Sequence, residues 1–183
     1  MDFKSIELKE TAIDMSARTI EGYAATWDLD QGGDIIMPGA FKKTIDEGFL
    51  SKRIKMLWEH SEPLGMPVEM SEDSIGLYVK GKVSRTRDGD DRLELMRDRV
   101  VSQMSIGFSI PKNKSGYDAE TGNRIISEVK LYEFSPVTFP MNEAAHILAV
   151  KSFHEQMMIA KSKGINPKDQ KEFVHMLNEL KTL

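Results

Sequence analysis

Residues 125–137 read Ile-Ile-Ser-Glu-Val-Lys-Leu-Tyr-Glu-Phe-Ser-Pro-Val, and this stretch decides the fold class. Its apolar residues alternate with polar ones, which is typical of a strand with one buried face. We therefore predict one strand over the whole stretch. Pro136 cannot donate a ladder hydrogen bond, so it predicts a bend or a sheet edge near the strand's end.

Shorter segments on both sides show the same alternation or a compact apolar run between turn formers. They predict strands over residues 3–10, 18–27, 54–58, 68–70, 76–83, 104–110 and 147–150. The first two should form an antiparallel hairpin. Helical spacing predicts helices over residues 41–48, 93–103, 153–163 and 167–183. Many short strands followed by helices favour a mainly β core, a barrel with a few helices packed outside it.

Several connecting segments are predicted to be irregular. Pro63, Gly65 and Pro67 should break any regular structure after the strand at 54–58. Residues 85–91 should form a polar turn, and residues 112–122 an exposed loop. Three aspartates in residues 28–34 do not have the spacing of a calcium loop, and no glutamate closes the segment, so a solvated turn is favoured.

Size and composition limit the possible functions. The 183 residues fit one domain with a sizeable core, and we predict a domain over 1–151 with a helical extension over 152–183. The net charge of −4 does not indicate a nucleic-acid or anionic-membrane surface. The chain has no cysteine, which excludes disulfides and a cysteine nucleophile. No metal-binding or dinucleotide motif is present, so no cofactor or metal is expected.

Three residues could carry acyl-transfer chemistry. Ser105 stands at the start of the strand predicted over 104–110, with Gly107 allowing close backbone approach. His60 ends an apolar strand and opens a loop, where its ring stays accessible. Glu133 lies on an apolar strand, where a carboxylate needs a partner.

Each candidate also has an ordinary structural interpretation. A serine at a strand end commonly satisfies local backbone groups. The partner of Glu133 could be an arginine rather than an imidazole. If the three side chains meet, the imidazole can take the serine proton while the carboxylate orients the imidazole. No Gly-x-Ser-x-Gly elbow is present, so an α/β-hydrolase is not favoured.

An ordered set of blocks resembles the prohead proteases of tailed bacteriophages, serine proteases of capsid maturation that are similar to the herpesvirus assembly protease. The resemblance spans roughly residues 15–152. Its blocks are Glu21-Gly-Tyr-Ala24, Gly33-Asp34, Pro38-Gly-Ala-Phe41, Leu57-Trp-Glu-His60, Met104-Ser-Ile-Gly-Phe108 and Glu133-Phe-Ser-Pro-Val-Thr-Phe-Pro-Met-Asn142.

This resemblance implies roles for the three candidates: Ser105 as nucleophile, His60 as base and Glu133 as third member. The related herpesvirus enzymes use a second histidine as third member, which makes His146 an alternative to Glu133. The implied fold is a closed antiparallel β-barrel surrounded by helices.

The implied function is a serine endopeptidase that acts inside the immature capsid, in the host cytoplasm. Its substrates would be scaffolding protein or the scaffolding segment of the major capsid protein, and finally the enzyme itself. We also expect a homodimer or a higher homo-oligomer. The net charge and the lack of a long apolar run lead us to expect no nucleic-acid or membrane partner. The alternatives are an inactive capsid-assembly module with the same barrel and a general β-barrel binding protein.

Overall fold

The computed structural model describes residues 18–49 and 51–149. Within these ranges the chain forms ten strands and two helices. In chain order the elements are β1 (Thr19–Thr26), β2 (Asp34–Ile36), α1 (Lys42–Gly48), β3 (Lys55–Trp58), β4 (Glu62–Glu72), β5 (Gly76–Val83), α2 (Arg87–Arg97), β6 (Gln103–Ser109), β7 (Ser115–Tyr117), β8 (Arg124–Ile126), β9 (Lys130–Val137) and β10 (Ile147–Ala149).

The main sheet has seven strands in the order β10-β1-β5-β4-β3-β9-β6. All neighbouring pairs are antiparallel except β3 and β9, which are parallel. A second sheet of three short strands has the order β2-β8-β7. The predicted mainly β architecture with helices is therefore confirmed.

The predicted closed barrel is not confirmed, because the seven-stranded sheet curls into a half-barrel. In the described part of the chain, the edges β10 and β6 are not joined by a ladder. The segment before β10 meets β6 only at an isolated bridge between Gln103 and His146. Two backbone hydrogen bonds flank this bridge, from Met104 to Ala145 at 3.1 Å and from Ile147 to Ser102 at 2.9 Å. The contact is too short to continue the sheet.

The hydrophobic core is formed by buried apolar side chains of the main sheet, of β8 and of the segments around both helices. Its largest fully buried side chains come from most of the strands and from both helices or their flanks: Phe41, Phe134, Ile20, Ile54, Met56, Leu64, Leu77, Leu93, Met96, Met104 and Ile126. The hydroxyl of Thr44 in α1 accepts a hydrogen bond from Leu131 N at 3.0 Å, which ties the helix to β9.

The stretch 125–137 was predicted to be one strand, but it forms two strands that belong to different sheets. β8 pairs with β2 and β7, whereas β9 lies in the main sheet between β3 and β6. The chain leaves the small sheet where Ser127 N donates to Lys114 O, and Val129 N then donates to Ala40 O. Tertiary hydrogen bonds therefore break an alternation that looks continuous in sequence. A bend or a sheet edge was predicted near Pro136. β9 as a whole is an interior strand, but its ladder to β3 includes only Glu133 and Phe134, so on that side Pro136 lies beyond the pairing.

β4 contradicts the prediction of irregular structure around residues 63–67. The strand runs through Pro63, Gly65 and Pro67 for 11 residues. Proline is tolerated near a strand's start and at bulges. Pro63 is the second residue of β4, and the register against β5 shifts immediately after Pro67. Gly65 lies so close to β5 that a Cβ there would be 2.1 Å from Lys82 O.

α2 also differs from its predicted bounds, because it includes most of the predicted turn at 85–91 and ends at Arg97 rather than at 103. Thr86 explains the early start: its side chain accepts a hydrogen bond from Gly89 N at 3.0 Å, as an N-cap does. The predicted loop at 112–122 contains β7, which pairs with β8.

The predicted strand at 3–10 and the helices at 153–163 and 167–183 lie outside the described residues. The boundary between 1–151 and 152–183 therefore stays a prediction. Neither described helix is long and apolar enough to cross a bilayer.

Candidate active site

Ser105 lies on β6, at the edge of the half-barrel, with only 8% of its surface exposed. It pairs directly with Ser135 of β9, and Gly107 pairs with Glu133. Directly opposed residues of an antiparallel pair share a face of the sheet. Ser105, Glu133 and Ser135 therefore point to the same side.

Glu133 is a buried carboxylate with both oxygens occupied. Its surface is 7% exposed. Oε1 lies 2.8 Å from His60 Nδ1, and Oε2 accepts a hydrogen bond from Ser135 Oγ at 2.6 Å. The partner of Glu133 is thus an imidazole and a hydroxyl, not the arginine that was the ordinary alternative.

Gly107 makes room for this carboxylate. A Cβ atom at position 107 would lie 2.2 Å from Glu133 Oε1 and 3.0 Å from its Cδ. No side chain can occupy position 107 while Glu133 keeps its place against His60.

His60 is presented by the tight turn between β3 and β4. Glu59 and His60 both have left-handed backbone conformations, with φ of +49° and +59°. Ser61 N donates a hydrogen bond to Trp58 O at 3.1 Å, which closes the turn. Because Nδ1 faces Glu133, Nε2 is the ring nitrogen left for a hydroxyl or a substrate. The His60 side chain is 43% exposed, so the ring is accessible.

The structure brings His60 and Glu133 into contact and places Ser105 on the same face. Within residues 18–49 and 51–149, no hydrogen bond joins the Ser105 hydroxyl to His60. Catalytic hydrogen bonds are often long before substrate binds. The arrangement can support acyl transfer once the imidazole and the hydroxyl align.

His146, the alternative third member, occupies a different position. It pairs with Gln103 at the start of β6, and its carbonyl accepts a hydrogen bond from Tyr23 N at 3.1 Å. Burial lowers the pKa of His146, and the positive charge of Arg99 lowers it further. No hydrogen bond connects the described parts of His146 and His60.

A cavity of about 250 Å³ opens beside Ser105. It lies between the end of β1 and the edge of β6, where the half-barrel is not closed. Its walls mix apolar side chains with a few polar ones and include Ala24, Thr26, Ile106, Phe108, Met141 and Asn142. The carboxylate of Asp34 also lines it and is paired with Arg124, which neutralises one charge there.

Sequence reasoning assigned no role to Ser135 or Glu59, and it did not connect Gly107 with Glu133. Ser135 and Glu59 stand inside the blocks quoted above, next to residues that were singled out. No local pattern identifies either residue. Only the strand pairing of the structure puts position 135 opposite 105 and position 133 opposite 107.

The family of the chain follows from comparison with known proteins. The model of the caudovirus prohead serine protease family matches residues 4–159. The chain therefore belongs to this family, and the resemblance drawn from its motifs is confirmed.

Two curated relatives are both prohead proteases. The protein of Enterobacteria phage HK97 is 35% identical over 158 residues, covering 83% of this chain and 68% of the relative. The protein of Escherichia phage T5 is 27% identical over 137 residues, covering 74% of this chain and 64% of the relative. The chain thus matches about two thirds of the length of each relative.

Two solved structures are similar at low identity. The bacteriophage T4 capsid assembly protease, gp21, matches with a TM-score of 0.46 and 16% identity, covering 64% of this chain and 80% of that one. The KSHV protease in complex with a hexapeptide phosphonate inhibitor matches with a TM-score of 0.48 and 11% identity, covering 90% and 76%.

Proposed function

We propose that this chain is a serine endopeptidase that cleaves scaffolding protein, or the scaffolding segment of the major capsid protein, and itself, during prohead maturation. The observation that carries the proposal is the 2.8 Å contact of His60 Nδ1 with buried Glu133, on the sheet face that also presents Ser105. Membership of a serine protease family supports the same chemistry.

The proposed mechanism uses the three side chains in sequence. Ser105 Oγ attacks the scissile carbonyl carbon while His60 Nε2 takes its proton. The protonated imidazole then gives this proton to the leaving amine, and the acyl group stays on Ser105. The same imidazole then deprotonates a water molecule, which attacks the acyl carbon. The bond to Ser105 Oγ breaks, the imidazolium returns its proton to Oγ, and the acyl group leaves as a carboxylic acid. Glu133 accepts the hydrogen bond from Nδ1–H and stabilises the imidazolium through both steps.

The cavity beside Ser105 is the proposed place for substrate. It is adjacent to the nucleophile, and its largely apolar walls suit a side chain near the cleaved bond. The N–H of Met104 on β6 is bonded to Ala145 O. Backbone groups two residues apart on a strand point to the same side, so the N–H of Ile106 faces the same open edge. Ile106 also lines the cavity. An extended peptide could therefore pair with β6 at Ile106 as it fills the cavity.

Fluorophosphonate labelling followed by peptide mapping tests the activated serine without a known substrate. We expect an adduct on Ser105 that is lost in Ser105→Ala and strongly reduced in His60→Ala. Ser109→Ala is the matched control, because Ser109 lies on the same strand but is exposed and bonded to Tyr132. An adduct on Ser109, or labelling that survives Ser105→Ala, would refute the assignment.

The same assay separates the two candidates for third member. Glu133→Gln should reduce the labelling rate by up to about 10⁴-fold, the scale of losing the acid in a serine protease triad. His146→Gln should leave the rate near that of the wild type. The opposite ranking would assign the role to His146.

The proposed substrates require a second experiment. Co-expression with the coat and scaffolding proteins of the same phage should give cleavage fragments and a trimmed protease, both absent with Ser105→Ala. Uncleaved proteins with the wild type, together with no labelling, would favour the inactive assembly module. We propose that the protein acts inside the prohead. We also propose that it forms a homodimer or a higher oligomer, and light scattering measures the molar mass that tests this.

A further inference from the structure

The turn that presents His60 has an unusual backbone. Glu59 and His60 occupy the left-handed region consecutively, with φ of +49° and +59°. This geometry suits glycine or asparagine, whereas other residues adopt it only when surrounding contacts enforce it. The contacts that enforce it here should therefore also control where the His60 ring lies.

Glu59 supplies two of these contacts through its side chain. Its Oε1 accepts hydrogen bonds from Thr138 N at 2.9 Å and from Thr138 Oγ1 at 2.7 Å. Its backbone N–H donates to Pro136 O at 3.2 Å. Among the ion pairs of the described residues none involves Glu59, so its exposed carboxylate is used by Thr138 rather than by a cation.

Ser135 continues the connection toward the buried carboxylate. Its Oγ accepts a hydrogen bond from His60 N at 3.2 Å and donates one to Glu133 Oε2 at 2.6 Å. The turn is thus fastened to β9 by the backbone groups of Glu59 and His60, and to Thr138, directly after β9, by the side chain of Glu59. The same strand carries Glu133, which His60 must meet.

We propose that Glu59 is a positioning residue that clamps the His60 turn onto Thr138 and so keeps His60 Nδ1 on Glu133. Glu59 touches neither the nucleophile nor the cavity that we assign to substrate. The inference rests on the proposed function, because it concerns the alignment of the proposed base. It gives a role to the glutamate of the Trp-Glu-His block and to the threonine that follows β9.

Three substitutions at position 59 separate positioning from general stability. Glu59→Gln keeps an acceptor oxygen for Thr138 and should label Ser105 at nearly the wild-type rate. Glu59→Ala loses the acceptor and cannot easily hold the left-handed turn, so its labelling rate should fall about 100-fold, the scale of a misplacement of about 1 Å. Glu59→Gly also loses the acceptor but adopts the turn freely, so its rate should lie between the two.

The partner residue provides the reciprocal test. Thr138→Ser keeps the hydroxyl and should behave like the wild type, whereas Thr138→Val should lose several-fold. Glu120→Ala is the matched control, since Glu120 is an exposed glutamate in the β7–β8 loop, away from the site. Its labelling rate should not change.

The proton resonance of His60 Nδ1–H gives a readout that does not need catalysis. We expect it in the wild type and in Glu59→Gln, and its loss in Glu59→Ala with the melting temperature little changed. A normal resonance in Glu59→Ala, or Glu59→Gly performing worse than Glu59→Ala, would overturn the clamp. If the wild type shows the resonance but no Ser105 adduct, the proposed function fails while the clamp stands.

Discussion

Substitution of Gly107 by alanine tests the candidate site through its tightest contact. The new Cβ would lie 2.2 Å from Glu133 Oε1. An ordinary carbon–oxygen contact is about 3.3 Å or longer, so the carboxylate must retreat by about 1.1 Å. A retreat of this size away from His60 would lengthen the 2.8 Å contact between Glu133 Oε1 and His60 Nδ1 beyond the range of a hydrogen bond.

The expected magnitude follows from this displacement. A misplacement of about 1 Å in a catalytic group costs about 100-fold in rate, or about 2.7 kcal/mol of transition-state stabilisation. This is smaller than the expected effect of Glu133→Gln, because a displaced carboxylate still offers charge to the imidazole. The free energy of unfolding should fall by about 1 to 3 kcal/mol, the range for disturbing a buried hydrogen-bonded group.

The assay is the rate of fluorophosphonate labelling at Ser105, with urea unfolding in parallel. Gly116→Ala is the matched control, because Gly116 also lies on a strand but a Cβ there meets nothing within 4 Å. A double variant with Glu133→Ala should label no more slowly than Glu133→Ala alone, since the methyl group acts through the carboxylate. Wild-type labelling by Gly107→Ala would refute the reasoning.

Four further outcomes are expected. Gly81→Ala should lower the free energy of unfolding by about 1 to 3 kcal/mol in urea, because its Cβ would lie 2.5 Å from Met56 Sδ in the core. Thr86→Ala should cost about 1 kcal/mol by removing the α2 N-cap, with no change in labelling rate. Burial, then a hydrogen-bonded carboxylate, raises the pKa of Tyr23 to about 12 from 10.0. As the pH rises, the unfolded state therefore loses the Tyr23 proton before the folded state does. The free energy of unfolding should fall between about pH 10 and pH 12, and it should fall more in the wild type than in Tyr23→Phe. Because the pKa of His146 is lowered in the folded state, the unfolded state binds a proton on this imidazole first as the pH falls. Below about pH 6.5 the free energy of unfolding should therefore fall more in the wild type than in His146→Gln.

The strands near the site were largely predictable from sequence. The segments at 18–27, 54–58, 76–83 and 104–110 are strands within a few residues of their predicted bounds. Each has an apolar run or alternation that a buried sheet face requires. The stretch 125–137 misled the prediction because alternation reports burial on one face and not which sheet the strand joins.

The candidate residues were also accessible to sequence reasoning, but their connections were not. Sequence patterns single out Ser105, His60 and Glu133 separately, as a strand-start serine, a loop histidine and a carboxylate on an apolar strand. Ser135 and Glu59 have unremarkable local patterns. Their relevance depends on a left-handed turn at 59–60 and on the pairing of β6 with β9, neither of which follows from local propensity.

Register is the physical condition that unites the separate blocks into one site. A shift of β9 by one residue would move Glu133 and Ser135 to the opposite face of the sheet, away from Ser105. Two features favour the observed register. Pro136, which has no N–H, lies opposite Met104, whose own N–H is bonded to Ala145 O instead. Glu133 lies opposite Gly107, the position where its carboxylate has room to reach His60. The spacing of proline and glutamate on β9 thus matches the spacing of methionine and glycine on β6. The pairing that satisfies both also puts Ser105 on the sheet face that carries Glu133, the partner of His60.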